Sequence, residues 1–170
     1  ERLAEKWKHA PSTFLGMLVH GFPNLLMPTG PQSASASTNF PRGIENGVNW
    51  CTGLLQYVRD RGYTRADATL EAQERWTAHV VKMYEIMLMR KAKSWFTGYN
   101  SNVPGHEQGT VRYFVYNGGT PKFMSIISDI AARGYQEIAF STARDGLGTA
   151  GRAPPHDFER ASPLRSLSGQ

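Results

Sequence analysis

The sequence predicts an α/β fold, mainly helical with short strands. Three observations carry this reading. Ile44, Val48, Cys51, Leu55 and Val58 recur at steps of four and three, the period of one helix face. Ala72, Trp76, Val80, Met83 and Met87 repeat that spacing further on. Short apolar runs bounded by Gly, Pro and Asn read as strands around these helices.

In chain order, residues 3–7 read as one helical turn. Residues 13–19 and 25–27 read as strands parted by the turn Gly21-Phe22-Pro23-Asn24. Residues 28–39, rich in Gly, Pro, Ser and Thr, form a loop that leads into the first long helix, which Gly62 stops. Thr64 and Asp67 give a capping signal for the second helix, running to about Met89. A loop over 93–107 follows, with Gly98, Pro104 and Gly105. Then come a strand over 111–116, a turn at Gly118-Gly119, a helix over 121–133 ending at Gly134, and a last strand over 135–140. From Ser141 onward Gly, Pro, Arg and Ser dominate without periodicity, so a disordered tail is expected over 142–170.

A chain of 170 residues, 40% hydrophobic and 19% charged, has the composition of an ordinary soluble domain. Mean hydropathy is −0.44. No apolar run approaches membrane-spanning length, so no membrane partner is expected. The charged opening, 1–10, carries no secretory signal, and the absence of an initial Met points to an upstream piece. The single cysteine, Cys51, rules out an internal disulfide framework and is expected to be a buried, inert thiol. These features together suggest a cytoplasmic setting.

The net charge of +5 is compatible with nucleic acid, an acidic membrane or a phosphate-bearing cofactor. Its basic residues are scattered apart from Arg90, Lys91 and Lys93, and no basic stripe carries interleaved aromatics, which argues against nucleic acid. Five histidines (9, 20, 79, 106, 156) lack metal-ligand spacing, so no metal is expected. Neither a Gly-x-Ser-x-Gly elbow nor a His-Glu-x-x-His motif occurs.

The most informative feature is the junction of the 30–39 loop with the first long helix. Small residues let a ligand approach the backbone, and a helix start presents unpaired N–H groups at the positive end of the macrodipole. Thr38 or Asn39 is the expected cap, with Pro41 in the first turn. Two readings stand, an anion-facing helix start and a plain capped surface loop. The stretch Lys93-Ser94-Trp95-Phe96 is likewise open: Trp95 either faces a ligand or anchors the core.

An ordered set of short motifs adds to this reading. Gly21-Phe22-Pro23-Asn24-Leu25, Gly30-Pro31-Gln32-Ser33 and Asn39 with Ile44-Glu45 and Trp50 come first. Glu74-Arg75-Trp76, His79, Ser94-Trp95-Phe96-Thr97-Gly98 and Val103-Pro104-Gly105 follow. Tyr116, Gly118-Gly119 and Ala131-Ala132-Arg133-Gly134-Tyr135 close the series. In this order they resemble the C-terminal end of class B flavin monooxygenases of the Baeyer–Villiger type, over residues 3–141.

The resemblance implies the C-terminal portion of a flavoprotein with two dinucleotide-binding domains, FAD and NADPH as cofactors, and a ketone and O2 as substrates. It places 1–141 at the end of the FAD domain, with the NADP-contacting loop near 93–107, and makes the upstream FAD and NADPH domains partners within the same protein. The implied reaction inserts one oxygen next to a ketone carbonyl to give an ester or lactone. Phe40, Asn39, Gln32 and Gly30 correspond to FAD-binding positions, Trp95 to the NADP-contacting tryptophan, and Ser37, Thr38 and Phe40 to the substrate pocket. No Gly-x-Gly-x-x-Gly fingerprint occurs within 1–141, so no complete Rossmann unit is expected here, and no catalytic residue either: the peroxyflavin-stabilising arginine is expected upstream. Loop 98–103 is longer than the common family form, which leaves open which asparagine takes the family position. It hints at bulky or cyclic ketones, and the small Ser35, Ala36 and Ser37 suggest a roomy pocket. Oxygenation of nitrogen or sulfur and a non-catalytic binding module are the alternatives.

Overall fold

A computed structural model describes residues 1–34, 39–105 and 113–142. In order they form α1 (Leu3–Lys6), α2 (Phe40–Asp60), β1 (Arg65–Ala68), α3 (Leu70–Glu85), α4 (Thr120–Ala132) and β2 (Ile138–Ser141). Short 3-10 turns at Leu88–Lys91 and Trp95–Thr97 follow α3. The mainly helical α/β expectation holds. Among the described residues the sheet is one antiparallel pair, β1 with β2, whereas a Rossmann unit needs parallel strands. The expected tail beyond Thr142 lies outside the described residues.

Helix α2 begins where Asn39 Oδ1 accepts from the Arg42 amide at 3.3 Å, and Pro41 occupies a first-turn position that needs no N–H. It ends at Arg61, and Gly62 then turns the chain at φ +67°. Its buried arc differs from the one the apolar spacing predicts. Gly47, Trp50, Cys51 and Leu54 face the core, while Phe40, Ile44, Val48 and Leu55 stay exposed. The physical reason is Gly47. A Cβ there would stand only 1.9 Å from the Pro28 carbonyl oxygen, so the helix seats its glycine directly on the loop backbone. Hydrophobic periodicity does not register such a contact. Trp50 then reaches across to α4, donating from Nε1 to Ile127 O at 2.9 Å, and meets Tyr135 edge-on at 5.3 Å between ring centroids.

Residues 13–19 and 25–27 are not strands. Leu15 (φ +60°) and Gly16 (φ +73°) reverse the chain, and Phe14 and Leu18 pair across the reversal. Phe14, Leu15, Met17, Leu18 and Val19 are all buried, and an apolar run buried on every side has no alternation to distinguish turn from strand. The 21–24 turn has a use that the sequence conceals. Asn24 (φ +62°) mimics a strand neighbour for β1, donating its amide to Ala66 O and accepting the Ala66 amide on Oδ1, both at 2.9 Å.

β1 itself replaces the expected helix cap at Thr64 and Asp67. The cap of α3 is Thr69, whose side chain accepts from Ala72 N at 3.2 Å. Asp67 instead accepts the Gly21 amide at 3.0 Å. α3 stops at Glu85 rather than near Met89. It buries Ala72, Gln73, Trp76, Val80 and Tyr84, leaving Met83 and Met87 half-buried. Residues 113–116 form no strand beyond one parallel bridge, Ser33 to Val115, and 111–112 lie outside the described residues. The last strand is shorter than expected and pairs Ile138 with Ala68 through Ser141 with Arg65. Helix α4 agrees with expectation, opening after Gly119 and closing before Gly134 at φ +73°.

Two outcomes follow. Gly47→Ala gains helix propensity of about 1 kcal/mol, yet its methyl would meet backbone that cannot rotate away. We expect a net loss of about 2 kcal/mol or more, read as a lower thermal midpoint; a midpoint equal to wild type would mean that α2 does not seat on Pro28. The second concerns alkali. Burial pushes the Cys51 thiol up to about 11, and burial followed by Cys51 and Tyr57 pushes the Tyr135 hydroxyl up to about 12. The folded protein therefore keeps protons that the unfolded chain has released, and stability falls as pH rises from 9.0 towards 11. Cys51→Ala should flatten the early part of that decline in thermal midpoints taken across this range.

Candidate functional site

The small-residue loop is stitched to the core from two sides. On one side Gly30 N donates to Gly16 O at 3.0 Å, and a Cβ on Gly16 would stand 2.5 Å from Ser33 N. On the other, Gln32 N donates to Phe114 O at 2.6 Å and Ser33 O accepts from Tyr116 N at 2.9 Å. Tyr116 is fully buried and stacks on Trp76 at 5.0 Å, so the loop rests on the aromatic centre of the fold. His79 packs on the same tyrosine with Nε2 3.5 Å from its hydroxyl. Burial first, then Lys122 and Lys82, hold the His79 pKa below the ordinary histidine value.

At the far end of the loop, Asn39 caps α2 and Phe40 opens it. Phe40 is 51% exposed, and among the described residues its amide has no hydrogen-bond acceptor. A helix of 21 residues concentrates partial positive charge at this end. The arrangement suits an electron-rich, anionic edge approaching from outside. Gly30 also sits on this loop, but its missing side chain makes room for the protein's own Gly16 carbonyl, from which a Cβ would be 2.7 Å away. Ser37 and Thr38, expected in a substrate pocket, lie outside the described residues.

Gln32 is placed differently from the expectation of a flavin-facing residue. It is 1% exposed, and its side chain turns inward to Thr13, Thr77 and Pro11. A buried amide with its oxygen and nitrogen both committed is not presented to a ligand. Thr13 and Thr77, which receive it, carried no signal in the sequence, because their meeting depends on how α3 packs against the opening segment.

Trp95 stands on a separate short turn. Ser94 Oγ accepts from Phe96 N at 3.2 Å and the buried Thr97 donates from Oγ1 to Ser94 O at 2.7 Å, which rigidifies the turn. Trp95 is 72% exposed and stacks on Phe96 at 4.9 Å, while Phe96 packs towards the core. The core-anchor reading of Trp95 is therefore replaced by an outward-facing ring. Among the described residues no hydrogen bond or ring contact ties Trp95 to the 28–34 loop. A cleft of about 490 Å³ along α3, with Gln73, Thr77 and Val81, is lined by neither Phe40 nor Trp95. Phe40 at the helix start and the Trp95 indole are instead open surface features.

Among the described residues no helix is long and apolar enough to cross a membrane, and no group of three metal-ligating side chains forms. No protein-family model matches the chain. It is 34% identical to cyclohexanone 1,2-monooxygenase of Acinetobacter sp. over 145 residues, covering 85% of this chain and 25% of that protein. It is also 34% identical to phenazine N-monooxygenase PhzNO1 of Lysobacter antibioticus, over 80% of this chain and 24% of that one. In structure it matches the OTEMO complex with FAD and NADP at a TM-score of 0.74 and 26% identity, over 83% of this chain and 25% of the other. The chain thus spans about a quarter of the length of the relatives it matches. Agreement in both sequence and fold over about four-fifths of these residues marks the chain as a segment of the kind found in the Baeyer–Villiger monooxygenases.

Proposed function

We propose that this chain is a portion of an FAD- and NADPH-dependent Baeyer–Villiger monooxygenase that inserts one oxygen of O2 beside the carbonyl of a bulky or cyclic ketone, giving an ester or lactone. The observation that carries the proposal is the exposed Phe40 at the start of α2, whose amide has no hydrogen-bond acceptor among the described residues, on a helix seated at Gly47 against the core-anchored loop. FAD, when bound and reduced by NADPH, supplies the oxygen chemistry. Phe40 offers its amide and the positive end of α2 to the electron-rich edge of the flavin. Asn39 holds that helix start in register by capping it. The loop from Gly30 to Ala34 fixes where the helix start stands, and Ser37, Thr38 and Phe40 line the ketone pocket. Trp95, already outward on a braced turn, covers the nicotinamide and keeps water from the reacting centre.

The exposed stripe Phe40, Ile44, Val48 and Leu55 is the face that the upstream FAD and NADPH domains of the parent protein cover. One end of the stripe is Phe40 itself, so the same packing that buries it also closes the flavin site. A second reading, oxygenation of a ring nitrogen, is favoured by the similarity to phenazine N-monooxygenase PhzNO1.

The parent protein, incubated with NADPH, O2 and cyclohexanone or a polycyclic ketone, is expected to show flavin absorbance and to yield lactone. N-oxide from a phenazine without any lactone would replace this reading with the second, and a preparation without flavin would remove both. In the same protein Trp95→Ala is expected to raise the KM for NADPH about tenfold, the equivalent of about 1.4 kcal/mol, and to divert more reduced cofactor to hydrogen peroxide. Unchanged KM and coupling would take Trp95 out of the nicotinamide site.

A further inference from the structure

The backbone at Gln32 sits at φ +69°, a conformation that disfavours every residue with a side chain and suits glycine. A glutamine in that position needs a use for its side chain, and the structure provides one. Gln32 Oε1 accepts from Thr13 N at 3.0 Å and from Thr77 Oγ1 at 3.3 Å, and lies 3.0 Å from Thr13 Oγ1. Gln32 Nε2 donates to Pro11 O at 3.3 Å. Thr13 Oγ1 in turn accepts from Gly16 N at 3.1 Å and has Pro31 O at 2.9 Å for its proton. One amide thus joins the opening segment, α3 and the 30–34 loop in a buried network. Leaving those groups unpaired would be costly, which is why a network of this kind holds its geometry.

We propose that Gln32 is a positioning residue for the cofactor site. Its side chain fixes, from inside the protein, the loop on whose Pro28 backbone α2, the helix that Phe40 opens, is seated at Gly47. It touches no ligand and acts through the backbone that it holds. The inference rests on the reading that the Phe40 end of this loop meets FAD, and it assigns Gln32 a role on the opposite face of the loop from any ligand.

The test uses the full-length parent with Gln32→Gly, Gln32→Met and Thr77→Val. Gln32→Gly relieves the backbone at positive φ but removes the network, Gln32→Met keeps the bulk and the strain without it, and Thr77→Val deletes one donor. The readouts are FAD affinity of the apoprotein by flavin-fluorescence titration, the absorption band positions of bound FAD, the KM for NADPH and the thermal midpoint of the apoprotein. Both Gln32 variants are expected to weaken FAD binding about tenfold and to shift the flavin bands. Thr77→Val should lie between them and wild type, and the KM for NADPH should stay near wild type in all three. FAD affinity and bands unchanged in Gln32→Gly, even with a lower apoprotein midpoint, would overturn the proposal by reducing Gln32 to a stability residue. If either Gln32 variant fails to fold, Thr77→Val decides by the same criteria. A wild-type parent that takes up no FAD fails the proposed function itself, which is a separate result from wild-type binding that the variants leave untouched.

Discussion

The close seating of the 28–34 segment against its neighbours is the constraint from which the rest of the structure follows. Three glycines make it possible: Gly47 lets α2 lie on Pro28, Gly16 lets the 14–18 turn meet Ser33, and Gly30 lets the loop meet Gly16. At each contact a single methyl would collide with backbone rather than with a side chain that could rotate away. Backbone packed on backbone gives a loop that behaves as part of the core, although its composition is that of a surface linker. Helix α2 is therefore seated on a fixed point at Pro28.

On the proposed reading, that fixed point is what turns an ordinary helix start into a usable site. A helix terminus by itself is a common feature and selects nothing. Here α2 is seated at Gly47 on a loop that is hydrogen-bonded to Gly16 on one side and to 114–116 on the other, with Tyr116 and Trp76 stacked beneath. The loop itself is held by elements from the beginning, middle and end of the described chain. Preorganisation of this kind is what makes a backbone donor effective on a developing negative charge, because no reorganisation is needed when the charge appears. The exposed apolar stripe along α2 follows from the same arrangement: the glycine face turns inward and the aliphatic face stays exposed.

The two candidate cofactor contacts differ in what surrounds them. Phe40 opens a helix that is seated through Gly47 on the braced 28–34 loop. Trp95 rides on a self-contained turn closed by Ser94, Thr97 and Gly98 at φ +83°, packed to the rest through Phe96. An indole carried on such a turn can change its neighbours without disturbing the core, which suits a group that covers a bound cofactor. Gln32 shows the reverse case. A polar residue in a glycine-rich loop looks like a ligand contact, yet its side chain is spent on the protein itself.

The residue pattern alone determined the three long helices and the small-residue loop between the first turns and α2, because period, capping residues and glycine stops are local properties. Gly62 and Gly134 ended α2 and α4 where the spacing said they would, Asn39 was one of the two caps named, and the ordered motifs were enough to name the family. The inward arc of α2, the reversal at Leu15 and Gly16, strand β1, the Thr69 cap and the orientations of Gln32 and Trp95 were decided by tertiary structure. Each depends on a contact between residues far apart in the chain: Gly47 with Pro28, Asn24 with Ala66, Arg65 to Ala68 with Ile138 to Ser141, Gln32 with Thr77. Periodicity records how often a residue is apolar, whereas these contacts depend on how closely two backbones can approach and where a buried polar group finds its partner. Those quantities exist only once the chain has folded.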